Sequence, residues 1–118
     1  MSLEYEVFTV DDVAQVVLTG RIDRDAATTL DQAYRAAADT GAPRLGLDFA
    51  AVDYINSTGI ALIVGLLARA RAAGLEVRAY GLTPHYREIF EITRLADFLA
   101  INPDEDSAVR GAEGSRDA

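Results

Sequence analysis

The sequence predicts one α/β domain that contains a mixed β-sheet of four to five strands, with helices packed mainly on one face. The chain begins with two extended segments joined by an acidic turn, and it then alternates extended and helical patterns. Its 118 residues, half of them hydrophobic, suffice for one two-layer core. We therefore expect a single domain over residues 1–118, with a core of about 4–101 and a polar tail of about 102–118.

A β-hairpin is predicted at the beginning of the chain. Its strands, Tyr5–Val10 and Val13–Thr19, are rich in β-branched and aromatic residues. Asp11 and Asp12 between them are turn residues, and Gly20 is expected to end the second strand.

The first helix follows, with Asp23 or Asp25 as its cap and Gly41 beyond its end. Its apolar residues recur at spacings of three and four, at Ala26, Leu30, Ala33, Tyr34 and Ala37.

Two short extended segments come next, Leu45–Phe49 and Val52–Ile55. A strongly apolar helix then runs from about Ser57 to Gly74, and Glu76–Tyr80 is the next predicted strand. Apolar residues surround that helix on nearly all sides, which is typical of a helix wedged between neighbours; alternatively its first turn is partly exposed as a docking surface.

The last part of the predicted fold is another helix and one more short element. Thr83 is a capping residue followed by proline, and Tyr86, Ile89, Phe90 and Thr93 form the inward face of the helix. The segment Leu95–Ile101 is apolar and fits either a short helix or a last strand.

Composition excludes several functions. Nineteen acidic residues against eleven basic ones give a formal charge of −8, which disfavours nucleic acid and anionic membranes as partners. The absence of cysteine and the single histidine, His85, argue against a metal site, and no cofactor is expected. Lysine is also absent, so a phosphate-binding loop is not expected at Gly59 or Gly65. No signal peptide or membrane span is recognisable, and we expect a cytoplasmic protein.

The segment Ile55–Ile60 is the strongest candidate for a functional site. It places Asn56, Ser57 and Thr58 between an extended segment and an apolar helix. Asn and Ser are both preferred helix caps, so capping alone can explain a serine here. The unpaired amides and the dipole of a helix start also favour a phosphate group, so Ser57 is alternatively a phosphorylation site.

Several motifs together resemble the STAS domain of bacterial anti-sigma factor antagonists. The resemblance extends over roughly Tyr5 to Ile101 and includes the order of elements. The motifs are Gly20-Arg21-Ile22-Asp23, Asn56-Ser57-Thr58-Gly59-Ile60 and Leu82-Thr83-Pro84 followed by Ile89, Phe90 and Leu95. The central motif is informative because of its position between a strand and an apolar helix.

The resemblance implies a binding protein and not an enzyme. In this family the domain binds an anti-sigma factor that is also a serine kinase with an ATPase-like domain. Phosphorylation of the serine at the helix start dissolves the complex, and a serine phosphatase restores it. The serine corresponds to Ser57, with Thr58 as the alternative acceptor. The implied partner-binding pocket consists of Asp23, Asp53, Asn56, Thr58, Gly59 and Ile60.

One residue departs from the family pattern. The family has Asp immediately before the serine, whereas this chain has Asn56, which keeps the capping ability but lacks the negative charge. Some family members instead act as scaffolds in sensory assemblies or behind transporters, without reversible phosphorylation, and this is the second hypothesis. A small enzyme or a nucleotide- or lipid-binding module is the third, with little support from the residues present. The oligomeric state is not predicted.

Overall fold

The computed structural model describes residues 2–93 and the backbone of residues 100–102. The elements in chain order are β1 (Glu4–Val10), β2 (Val13–Ile22), a 3₁₀ turn (Arg24–Ala26), α1 (Ala27–Asp39), β3 (Arg44–Ile55), α2 (Ser57–Ala72), β4 (Glu76–Tyr80), α3 (Pro84–Ile92) and β5 (Ala100–Asn102). The end of the last predicted element, Leu95–Ile101, forms part of β5. Residues 94–99 and the predicted tail from residue 103 onward lie outside the described residues.

The five strands form one mixed sheet in the order β1-β2-β3-β4-β5. The β1–β2 pair is antiparallel and the other neighbours are parallel. Each parallel strand is added on the same side of the one before it, so right-handed crossovers bring the connecting helices to the same face of the sheet. The predicted fold class, a mixed sheet with helices mainly on one face, is confirmed.

The core lies between this face of the sheet and the helices. Alternate residues of the central strands are buried there, α1 buries the residues that the spacing predicted, and α2 adds one apolar side. The contributing residues include Val16, Leu18, Leu45, Leu47, Leu30, Tyr34, Ile63 and Leu67.

The opposite face of the sheet buries one polar pair. Gln15 is fully buried, and its side-chain oxygen accepts a hydrogen bond of 2.8 Å from the Tyr80 hydroxyl. Gly46 leaves the room for this contact, because a β-carbon at this position would lie 2.5 Å from the same oxygen.

Strand β2 is longer than predicted. The prediction that Gly20 ends it is wrong, because the strand continues to Ile22 with Gly20 at φ +114°. Glycine is needed there for that conformation and because a β-carbon would lie 2.5 Å from the Ser2 carbonyl oxygen. Asp23 then caps the 3₁₀ turn, and α1 itself begins without a side-chain cap.

Strand β3 combines the two extended segments that the sequence suggested. Its pairing with β2 shifts twice, and in both places β3 carries the additional residue. The second shift lies between Val52 and Tyr54, so Asp53 is the additional residue. Strand β4 pairs only with residues Arg44 to Asp48, and the rest of β3 extends beyond it toward α2.

An ion-pair network joins α1 to α2 on the surface. Asp31 contacts Arg35 in α1 and Arg69 in α2, and the Arg69 guanidinium also lies 4.5 Å from the centre of the Tyr34 ring. The hydrogen bond from Arg69, together with the charge of Arg35, lowers the pKa of Asp31 below its ordinary value of 3.8.

Replacing Asp31 with Asn tests this network. A lowered folded-state pKa stabilises the fold above pH 3.8, and this contribution disappears as the pH falls through the folded-state value. We therefore expect Asp31→Asn to lower the urea midpoint slightly at pH 7, since exposed pairs contribute little, and the difference from the wild type to shrink below pH 3.8. Asp39→Asn in the last turn of α1 is the control and should not lower the midpoint. A difference that persists at low pH would contradict the assignment.

Candidate functional site

The start of α2 is organised by Asn56. This residue has extended backbone, and its side-chain oxygen accepts a hydrogen bond of 2.8 Å from the Gly59 amide. Its carbonyl oxygen accepts the first helical hydrogen bond, 2.9 Å from the Ile60 amide. The prediction that Asn56 keeps the capping ability is confirmed. The alternative in which Ser57 serves as the cap is wrong, because Ser57 is the first residue of the helix.

The two hydroxyl residues after the cap face outward. Ser57 and Thr58 are exposed, whereas Gly59 is buried and Ile60 is partly buried. Within residues 2–93 we find no hydrogen bond from the Ser57 side chain. The hydroxyl that the sequence singled out is therefore accessible at the edge of the fold and is not used to hold the helix.

Gly59 brings this helix start against the end of β2. A β-carbon on Gly59 would lie 1.9 Å from the carbonyl oxygen of Ile22. The same carbonyl oxygen accepts a hydrogen bond of 3.3 Å from the Asn56 amide. The backbone contact between these two elements therefore determines where Ser57 lies relative to the sheet.

Asp23 lies directly after this contact and is paired. Its carboxylate accepts a hydrogen bond of 3.0 Å from the Asp25 amide and lies 3.6 Å from the Nε of Arg21. The Arg21 guanidinium is also 4.8 Å from the centre of the Tyr54 ring, in a cation–π contact. Arg21 therefore balances part of the negative charge of the Asp23 carboxylate.

Asp53 is exposed at the additional position of β3. Within residues 2–93 the structure gives its carboxylate neither an ion pair nor a hydrogen bond. Of the two acidic residues in the implied partner-binding pocket, only Asp53 thus has an uncompensated charge.

Three contributing residues were not predicted as part of the site. Arg21 and Tyr54 meet because they are paired across β2 and β3, and this register cannot be read from the sequence. Tyr86 of α3 was predicted to face inward and is half-buried, but its hydroxyl also accepts a hydrogen bond of 3.0 Å from the Ile55 amide. The spacing of residues on α3 signals burial and does not indicate this polar contact.

Helix α2 has one buried and one exposed side. Its buried residues include Ile63, Leu66 and Leu67. We define the outer face of α2 as the exposed residues that recur from Ser57 at helical spacing, which are Ser57, Ala61, Val64 and Ala68. Val64 is 45% exposed. An exposed apolar surface thus begins at Ser57. The helix is not enclosed by neighbours on all sides, which was one of the two alternatives left open by the sequence.

Two kinds of feature are absent from the described part of the chain. No group of three or more His, Cys, Asp or Glu residues is arranged to hold a metal ion. No helix there is long and apolar enough to cross a lipid bilayer.

Comparisons with known proteins agree with this architecture. A family model described as "Mlab, STAS domain" matches residues 7–101. BtrV of Bordetella bronchiseptica is 32% identical over 94 residues, which cover 80% of this chain and 78% of that protein. The anti-sigma-B factor antagonist of Staphylococcus epidermidis is 28% identical over 102 residues, which cover 86% and 94%. The crystal structure of an anti-sigma factor antagonist from Mycobacterium paratuberculosis superposes with a TM-score of 0.78 at 26% identity and covers 95% of both chains.

The chain belongs to the STAS domain family, and it is similar to those members that are named anti-sigma factor antagonists. The names of these relatives describe regulatory proteins.

Proposed function

We propose that this protein is an anti-sigma factor antagonist that binds an anti-sigma factor and is released from it by phosphorylation of Ser57. The observation that carries the proposal is the position of Ser57. Ser57 is exposed as the first residue of α2, while the side chain of Asn56 accepts the hydrogen bond that caps the helix. A serine that is not needed for the cap can accept a phosphate group without loss of the fold.

The helix start is suited to retain that phosphate. Asn56 takes up the amide of Gly59, and the amides of Ser57 and Thr58 belong to the group that a helix leaves without partners. These amides and the helix dipole favour an anion, and a phosphoserine adds close to two negative charges. The phosphate is thus tolerated by the domain itself.

The same phosphate is expected to prevent binding. It lies at one end of the apolar outer face of α2, close to an edge that already carries Asp53. A partner that covers this surface has to remove water from the phosphate, and an acidic partner group is repelled as well. The charge therefore acts on the complex and leaves the core unchanged.

The proposed partner contacts are those implied by the family resemblance. Asp23, Asp53 and Thr58 offer polar side chains, and Ile60 adds a partly buried apolar one. Asn56 and Gly59 contribute indirectly, through the cap and through the close packing on Ile22.

The proposed partner is an anti-sigma factor with an ATPase-like domain that also acts as the serine kinase. A serine phosphatase reverses the modification. The protein has no catalytic activity of its own in this scheme, and it works in the cytoplasm, where transcription takes place.

Mass spectrometry after incubation with the cognate kinase and ATP tests the proposal. We expect one phosphate on the wild type and on Thr58→Ala, and none on Ser57→Ala. Thr58→Ala is the matched control, because it removes the neighbouring exposed hydroxyl. Absence of phosphate from both Ser57 and Thr58 would refute the switch. Phosphate on Thr58 alone would identify Thr58 as the phosphorylated residue in place of Ser57.

A second candidate function is a STAS scaffold that binds protein partners without reversible phosphorylation. Asn56 favours it, because the family has a negatively charged Asp at this position and Asn56 lacks the charge that a kinase would recognise there. Intact-mass analysis of protein purified from its native cell separates the two functions, since a scaffold should give one unmodified species. Phosphorylation that occurs in Asn56→Asp but not in the wild type would likewise support the scaffold.

A further inference from the structure

The end of β3 lacks a neighbouring strand on one side. Strand β4 pairs with β3 only as far as Asp48, so the amides on this side of the remaining residues need other acceptors. The Ala50 amide donates to the side chain of Asp48 at 2.8 Å. The Ile55 amide donates to the hydroxyl of Tyr86 at 3.0 Å. Helix α3 thus takes the place of a strand at the last residue of β3.

Tyr86 is held firmly in its own helix. Its amide donates to the side chain of Thr83, which caps α3, at a distance of 3.3 Å. Four residues later Phe90 is completely buried, and its ring meets that of Phe49 edge to face with centres 5.8 Å apart. The helix turn that carries Tyr86 is therefore held at both of its ends.

The contact lies next to the proposed switch. Ile55 is followed directly by the cap residue Asn56 and then by Ser57. Fixing the Ile55 amide restricts the backbone from which Asn56 reaches the Gly59 amide. We propose that Tyr86 is a positioning residue, whose hydroxyl holds the end of β3 and thereby sets the orientation of Ser57 for phosphorylation. This inference rests on the proposed function of Ser57.

The same contact couples α3 to the start of α2. A displacement of α3 would move the Tyr86 hydroxyl. The hydrogen bond of the Ile55 amide would then change, and with it the backbone next to the cap. Because coupling free energies are reciprocal, a charge on Ser57 that tightens the first turn of α2 should also stabilise the contact with Tyr86.

The first test needs no kinase and uses amide hydrogen exchange of the full chain by NMR. In Tyr86→Phe the ring remains and only the hydroxyl is lost, so the fold should persist. We expect exchange at Ile55 and Gly59 to become about tenfold faster, as for the loss of one partly buried hydrogen bond. Tyr5→Phe, which removes an exposed hydroxyl from β1, should change neither amide. Unchanged exchange in Tyr86→Phe, or an equal effect of Tyr5→Phe, would overturn the proposal.

The second test measures phosphorylation kinetics with the kinase that modifies the wild type. A positioning role predicts that Tyr86→Phe lowers kcat about tenfold with KM nearly unchanged, because binding is retained and the acceptor is poorly oriented. If the wild type is phosphorylated and Tyr86→Phe has the same kcat, the positioning role is refuted and the proposed function remains intact. If no protein is phosphorylated, the proposed function fails, and the exchange experiment alone still decides whether Tyr86 holds the helix start.

Discussion

Replacing Gly59 with alanine is expected to cause the largest loss of stability of any single methyl addition in α2. The new β-carbon would lie 1.9 Å from the Ile22 carbonyl oxygen and 2.7 Å from its carbon. Both are backbone atoms, which cannot turn away as a flexible side chain can. The helix start must therefore move away from β2, and we expect the free energy of unfolding to fall by about 3 kcal/mol. Urea denaturation followed by circular dichroism measures this change.

Gly65→Ala is the matched control, because it makes the same change in the same helix. A β-carbon on Gly65 would meet no atom within 4 Å. Alanine is also the better helix former, so this variant should be more stable than the wild type by about 0.5 to 1 kcal/mol. Gly59→Ala with wild-type stability would show that the contact between α2 and Ile22 is not close in solution.

Ser57→Asp is expected to have the largest effect on binding. The carboxylate places a permanent negative charge on the outer face of α2, where the proposed partner excludes water. An uncompensated charge in an interface costs several kcal/mol, so we expect the affinity for the anti-sigma factor to fall about 100-fold or more. An acidic residue in the first turn of a helix is favourable for the fold, so Tm should change by less than about 5 °C. Calorimetric titration and a thermal melt measure the two effects.

The control variants for this experiment are Ser57→Ala and Thr9→Asp. Ser57→Ala removes the hydroxyl without adding charge and should retain binding. Thr9→Asp adds the same charge at an exposed position of β1, the edge strand of the sheet, and should change the affinity little. Wild-type affinity of Ser57→Asp would show that the start of α2 is not part of the interface. A comparable loss of affinity in Thr9→Asp would point to a general effect of charge.

The order of elements could be predicted from local signals. The acidic turn at Asp11-Asp12, the Thr83-Pro84 helix start and the apolar spacing of α1 each indicated an element that the structure contains. Such signals depend on residues that are close in sequence, for which spacing and capping preferences are informative.

The prediction was wrong where pairing between strands decides the outcome. Gly20 weakens an isolated extended segment, but in the sheet β2 continues through it to Ile22, beside β3. The two segments of β3 were separate in the sequence pattern, and they form one strand because Ala51, which lies between them, pairs with Thr19 of β2. Tertiary pairing outweighs local propensity in both cases.

The sequence by itself determined the family, the acidic character of the domain and the location of a hydroxyl pair at a helix start. These properties follow from composition and from residues adjacent in the chain. Only the tertiary structure decided that Asn56 is the cap, that Arg21 pairs with Asp23 and Tyr54, and that Tyr86 holds the Ile55 amide. The last two depend on strand register and on the docking of α3 against β3, which bring together groups that are distant in the chain.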